Sequence, residues 1–314
     1  MAENQTEYVY FEGNYVPFDD AKISIKTHSF LYGTSIFEGI RGYYVPEKKS
    51  VSIFRMREHY DRIIANGKVC HLTPSQSAEE LEQITKDLIQ KNGWEKDTYI
   101  RPTIYKSGIN ITPRLDHNVT EICIWTQPLG EYLALDKGLN ICVSSWRRLA
   151  DNVIPPRAKA AGAYMNSALI VTDARAMGFD DAVVLTESGH VSEGSAMNLF
   201  LVKNGKLVTP ATTENILEGI TRDSIITIAK NELGLETEER VVDRTELYTA
   251  DEAFFTGTGA QVSPITQFDN RPVGDGNIGP IAKKLQDLYF QVVKNKLPQY
   301  SHWCTEVALE PAKA

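Results

Sequence analysis

The sequence predicts an α+β protein of two domains, on three observations. Short strand-like segments alternate irregularly with amphipathic helical ones, a length of 314 residues exceeds one ordinary domain of about 100–200, and a patternless stretch lies near the middle. The first element is YVYFEGNYVPF, two apolar and aromatic segments around Glu12-Gly13-Asn14, which predicts a β-hairpin. VSIF at 51–54 predicts a strand leading into RMREHYDRIIANG. In SAEELEQITKDLIQKNG, Leu81, Ile84, Leu88 and Ile89 fall on one helical face, Ser77 and Glu80 have capping-box spacing, and Gly93 is the stop. TYIRPTIY and EICIWTQP predict strands, and Pro102 favours an edge or irregular position for the first of them.

LGEYLALDKG, from Leu129 to Gly138, has no strong period, and LNICVSSW starts a new strand pattern. The expected division is a smaller domain at 1–133, a linker at 134–138 and a larger domain at 139–314. The second half carries the strand pair DAVVLTESGHVSEG and the hairpin NLFLVKNGKLVTP with Asn204-Gly205 at its turn. Helices are expected near 165–177, 222–233 and 280–295, around a barrel-like β core, and the tail CTEVALEPAKA is expected to fray.

A net charge of −8 and a sequence pI of about 5.4 argue against a nucleic-acid partner, which is bound by displacing counterions with Lys and Arg. Cys70, Cys123, Cys142 and Cys304 form no CxxC pair, so neither a metal centre nor a disulfide framework is implied. The polar start MAENQTEY and the lack of any 18-residue apolar run argue against a leader and a membrane span, leaving a cytoplasmic protein as the expectation.

Lys159 is the unusual residue. It lies in PPRAKAAGAYMNSA, where Ala and Gly surround an ammonium group that ordinarily seeks solvent. A desolvated lysine offers more free amine for condensation with an aldehyde, whereas a lysine stem packed on small residues with its head in water is the plain structural alternative.

The motifs KAAGAYMNS, VSEGSAMNLF, EGITRD and GTGAQVSP, with HSFLYGTSIFEGIRGY, RMREHYDRI, YIRP and GPIAKKLQDLYF, stand in an order similar to that of class IV aminotransferases, on the branched-chain side. The resemblance covers about residues 8–295. It implies a fold type IV pyridoxal 5′-phosphate enzyme, with a smaller sandwich-like α/β domain and a larger pseudo-barrel domain. Lys159 then matches the Schiff-base lysine, Tyr164 the tyrosine beside the 3-hydroxyl, and Glu193 the acid under the pyridine nitrogen, where a carboxylate favours the protonated ring. Arg62 matches the phosphate arginine, with Arg55 and Arg57 as competitors by residue type. Ile220 and Thr221 would offer backbone N–H groups from a helix start, and Thr258 a hydroxyl.

For the substrate, the resemblance puts Arg101 on the distal carboxylate of glutamate, with Tyr32 and Tyr132 as polar helpers and Phe37 as an apolar wall. Tyr99 and Arg41 lie near the α-carboxylate, with the Gly259 and Ala260 amides. Leu129 departs from the pattern, standing where many relatives have tryptophan. Tyr32 is expected to reach the neighbouring subunit's site, which implies a homodimer at minimum. The expected reaction exchanges an amino group between L-leucine, L-isoleucine or L-valine and 2-oxoglutarate, with Lys159 as the proton shuttle. The alternatives on the same fold are D-amino acid or (R)-amine aminotransferases and an aminodeoxychorismate lyase.

Overall fold

The structure is a computed structural model that describes residues 6–116, 119–130 and 136–309. Two compact units divide the chain: Met1–Gly130 with Ala158–Gly162 and Val292–Ala314, and Glu131–Arg157 with Ala163–Gln291. The first crossing lies near the expected linker. The returns at 158–162 and beyond 291 have no counterpart in a linear division, because they are set by long-range pairing.

In the first unit, β1 (Tyr8–Phe11), β2 (Asn14–Pro17), β3 (Ser35–Phe37), β4 (Ile40–Val45), β5 (Ser50–Phe54), β6 (Thr98–Lys106) and β7 (Thr120–Pro128) join one sheet. The helices of this unit are α1 (His28–Tyr32), α2 (Met56–Val69) and α3 (Ala78–Asn92). The Ser77–Glu80 capping box and the left-handed Gly93 stop both form as expected. Period-2 alternation sends Ile100, Ile104, Ile122 and Ile124 into one core with Tyr60 and Ile63 of α2 and Leu81, Leu88 and Ile89 of α3. The opposite sheet face is left for Arg41, Tyr99, Arg101 and Trp125.

In the second unit, β8 (Leu139–Arg147), β9 (Asp181–Leu185), β10 (Val191–Gly194), β11 (Asn198–Lys203), β12 (Lys206–Pro210), β13 (Thr237–Arg240), β14 (Glu252–Gly257), β15 (Gln261–Phe268) and β16 (Arg271–Pro272) form a curled sheet in which β10 meets β11 and β12. Its helices are α4 (Tyr164–Ala176), α5 (Ile220–Leu233) and α6 (Pro280–Val293), close to the expected spans. Asn204 and Gly205 both take positive φ at the β11–β12 turn, as a two-residue hairpin requires. The carboxylate of Glu252 caps α6, accepting from Ile281 N at 3.1 Å and Ala282 N at 2.7 Å.

One sequence expectation needs correction, and another resolves to one of its two alternatives. The tail does not fray at Cys304–Ala308, which forms β17 against β5, with Val307 in the core and Glu306 held by Lys48 and Ser50. The last five residues lie outside the described residues. Pro102 is not on an edge strand, since β6 runs between β7 on one side and β3 and β4 on the other. It does sit at an irregular place. Partners on β6 end at Ile100 for β4 and resume at Thr103 for β3, so the residue without an N–H faces the interruption at Glu38-Gly39.

That interruption turns Glu38 inward to complete burial. Arg62 grips it with two bonds, Nε to Oε1 and Nη2 to Oε2, each 2.7 Å, and His59 Nδ1 donates to Oε2 at 2.8 Å. Burial alone would raise the Glu38 pKa, but the Arg62 charge and the His59 hydrogen bond hold it well below the carboxylate range. His59 is pushed below its ordinary value by burial, against the pull of Glu38.

Both shifts have one sign for stability. A carboxyl with a lowered folded pKa stabilises above its ordinary value of 4.5, and a histidine kept neutral stabilises above 6.5, so both contributions are lost as pH falls. The urea midpoint of the protein is therefore expected to fall from pH 7 to pH 3.5. Glu38→Gln should cost about 3–5 kcal/mol at pH 7 by stranding Arg62, yet lose less on acidification below pH 4.5 than the parent. Equal acid slopes in the two proteins would refute the assignment.

Candidate active site

In the first unit the site is a sheet face. Arg41 is opposite Tyr99 across β4–β6, and Arg101 is opposite Trp125 across β6–β7, so register alone gathers these four side chains. Tyr99 Oη accepts from Arg101 Nε at 2.9 Å and Nη2 at 2.6 Å. The Arg101 guanidinium lies 4.1 Å from the Phe37 ring centroid, 5.1 Å from that of Tyr99 and 5.6 Å from that of Trp125. No carboxylate pairs with Arg101 among the described residues. Gly39 has to be glycine here, since a Cβ would stand 2.6 Å from Tyr99 Oη.

Arg41 is 3% exposed. Its Nη2 donates to the Leu129 and Gly130 carbonyls at 3.1 and 3.0 Å and lies 3.6 Å from an Asp97 oxygen. Its Nε and Nη1 are buried without a hydrogen-bond partner among the described residues. Such donors are costly to leave unmade, so the arrangement fits an anion arriving on this face.

Lys159 docks on the same face. Its carbonyl accepts from Phe37 N at 3.3 Å, Ala160 bridges Ile36, and Nζ stands 5.1 Å from the Phe37 ring centroid. The residue is half-buried and holds φ of 50°, a left-handed backbone that is rare for lysine and concentrates at functional positions. Its charge acts on His59, which places the amine near the Glu38 cluster.

Of the competing arginines, Arg55 pairs with Glu58 and covers Trp303, while Arg57 pairs with Asp61 and Glu79; only Arg62 joins Glu38. Arg62 Nε and Nη2 are bonded to Glu38, which fixes the plane of the guanidinium expected to meet a phosphate. Tyr32 is exposed on α1, its hydroxyl donating to the Ile111 carbonyl at 2.5 Å. Tyr132 lies outside the described residues.

In the second unit Glu193 is 2% exposed on β10. Arg148 Nη2 donates to Oε1, while Asn198 Nδ2 at 2.9 Å and Leu217 N at 3.2 Å both donate to Oε2. Helix α5 starts at Ile220 behind Gly219, whose lack of a side chain leaves the first turn without a side-chain cap. Thr221 is buried in that turn. Thr258, Gly259 and Ala260 form the three-residue turn between β14 and β15, closed by Gln261 at φ of 57°. Tyr164 is the half-buried first residue of α4.

Sequence reasoning missed Glu38, His59, Trp125, Arg148 and Asn198. His59 and Arg62 stand three apart on α2, a readable common face, and Glu38 and Asn198 lie inside motifs already singled out. Trp125 and Arg148 carry no such signal, because a cross-strand register and a loop return place them.

Comparison with known proteins gives one answer. The family described as amino-transferase class IV matches residues 35–268. A protein of Aquifex aeolicus named "Probable branched-chain-amino-acid aminotransferase" is 49% identical over 301 residues, 96% of this chain and 97% of its own. The branched-chain amino acid aminotransferase of Thermobaculum terrenum in PLP-form superposes with a TM-score of 0.92 at 38% identity, covering 97% of this chain and 99% of that one. The branched-chain aminotransferase of Thermoproteus uzoniensis with norvaline also gives 0.92 at 38% identity, covering 96% and 99%. With its motifs, its fold and its relatives in agreement, the chain belongs to the class IV aminotransferases.

Proposed function

We propose that this enzyme is a branched-chain amino acid aminotransferase that uses pyridoxal 5′-phosphate to exchange an amino group between L-leucine, L-isoleucine or L-valine and 2-oxoglutarate. The observation that carries the reading is Arg101, a guanidinium without a carboxylate partner among the described residues, set among the rings of Phe37, Tyr99 and Trp125. The rings suit an apolar side chain, and the guanidinium suits the distal carboxylate of glutamate. Relatives named for branched-chain substrates favour this over a D-amino acid, (R)-amine or aminodeoxychorismate reading.

The residues present fit the cofactor. Lys159 would hold it through Nζ, Glu193 would face the ring nitrogen, Tyr164 would stand by the 3-hydroxyl, and Arg62, the Ile220 and Thr221 amides and the Thr258 hydroxyl would receive the phosphate. When bound, it supplies the electron sink that lets a substrate's α-proton leave. Arg41 would offer buried N–H donors to the α-carboxylate with Tyr99 beside it, and the Gly259 and Ala260 amides are assigned to the same carboxylate. Lys159 Nζ takes the α-proton as base and returns it as acid.

We also assign a homodimer at minimum, acting in the cytoplasm. Around Tyr32 the first unit exposes Phe30 at 65%, Ile109 at 68% and Ile111 at 84%, with Thr27 bridging Ile109 to hold the patch together. A contiguous apolar surface of this kind suits burial against a second copy. No helix among the described residues is long and apolar enough to cross a membrane.

Lys159→Ala is expected to lower turnover by about 10⁴-fold, the upper range for a positioned acid–base group, and to abolish borohydride labelling. Label on another lysine in the parent enzyme would sink the assignment. Arg101→Ala should weaken the half-reactions with glutamate and 2-oxoglutarate by roughly 30-fold or more while changing leucine little, judged from single-turnover second-order constants. An equal loss for both substrates would assign Arg101 to scaffolding or to the shared α-carboxylate. Ile111→Asp is expected to shift the sedimenting species toward the monomer, and an unchanged dimer would remove this patch from the interface.

A further inference from the structure

Asn198 is 5% exposed at the start of β11, and both protons of its amide nitrogen are committed. Nδ2 donates one proton to Glu193 Oε2 and the other to the Leu217 carbonyl, each at 2.9 Å. Both partners are acceptors, so the amide orientation follows from chemistry. Leu217 N returns to the same Glu193 oxygen at 3.2 Å, closing a ring of bonds between the buried acid and the segment that enters α5. On its other side, Asn198 Oδ1 lies so near Gly219 that a Cβ there would stand at 1.9 Å. Gly219 has φ of −71°, ordinary for any residue, so this close approach is what demands glycine before Ile220 and Thr221.

We propose that Asn198 is a positioning residue that couples the carboxylate under the cofactor ring to the turn that receives the cofactor phosphate. The inference rests on the pyridoxal-phosphate reading above. One side chain thereby fixes the spacing between two contacts that a rigid ligand must satisfy together. Aspartate has the same shape but presents only acceptors to Glu193 and Leu217 O, serine is too short to span both, and glutamine would drive its extra methylene toward Gly219. Neither Asn198 nor Leu217 need touch the reacting atoms.

The test is cofactor binding to the cofactor-free enzyme, measured by equilibrium dialysis with pyridoxal phosphate, alongside thermal melts of the same samples. Asn198→Ala should keep the cofactor-free melt within a few degrees and weaken binding by about 10–100-fold, the range for losing a hydrogen bond to a charged group. Asn198→Asp should be at least as weak. In the parent, Glu193→Gln and Thr221→Ala should be energetically coupled in their effects on affinity, and in the Asn198→Ala background they should become additive.

Affinity within about threefold of the parent for Asn198→Ala would overturn the proposal. So would parent-like binding by Asn198→Asp, which would reduce the residue to a space-filler beside Gly219, or coupling that survives the removal of Asn198. If neither variant folds without cofactor, Asn198 serves the fold and the proposal fails. Failure of the parent itself to bind pyridoxal phosphate would instead strike the functional reading, so the two failures are distinguishable.

Discussion

The burial of the Glu38 charge organises the sheet face of the first unit that carries Arg41, Tyr99 and Arg101. A carboxylate removed from water survives only if its oxygens are fully paired, and here the pairs come from Arg62 and His59 on α2. The helix is thereby tied to the point where the pairing along β6 passes from β4 to β3. The same interruption brings Gly39 under Tyr99 Oη, and Tyr99 in turn holds Arg101. Phe37, the residue before Glu38, receives both Arg101 and Lys159 on its ring and binds the Lys159 carbonyl through its own amide. A local fault in a strand thus sets cation, aromatic wall and lysine in one frame.

The second unit repeats the logic with other residues. Glu193 is buried and oriented by donors from Arg148, Asn198 and Leu217, so its position is over-determined before any ligand arrives. Preorganisation of this kind matters because a carboxylate that had to reorient during reaction would give back part of the stabilisation it supplies. Helix α5 contributes through what Gly219 lacks, a side chain to cap its own first turn.

Much of this was legible in the sequence where the determining forces are local. The Ser77–Glu80 box, the Asn204-Gly205 turn and the spans of α3, α4 and α5 follow from neighbours within a few residues. What escaped depends on partners far along the chain. Cys304–Ala308 reads as a fraying tail until β5 is seen beside it, and Pro102 reads as edge or irregular until the gap between β3 and β4 is seen opposite it. Glu38 sits in a quoted motif, yet only burial distinguishes it from an ordinary surface acid. Trp125 is marked by register with Arg101, which no periodicity reveals.

Under the proposed function, register also bears on how one pocket accepts unlike side chains. An isolated guanidinium would repel an isobutyl group through the cost of desolvating its charge, and an all-aromatic wall would reject a carboxylate for the same reason. On β6 and β7 the two are combined, with the charge lying over ring faces that meet part of its need while its in-plane edge stays capable of hydrogen bonding. Arg41 is treated differently: its Nη2 is spent on the Leu129 and Gly130 carbonyls, and its remaining nitrogens are buried unmatched. An arginine clamped to backbone has a fixed direction, which suits the carboxylate common to every amino acid, whereas Arg101, held by the Tyr99 hydroxyl and aromatic faces with no carboxylate partner among the described residues, suits the variable end. On the proposed reading, the backbone at Leu129 serves the invariant end of the substrate whatever side chain that position carries.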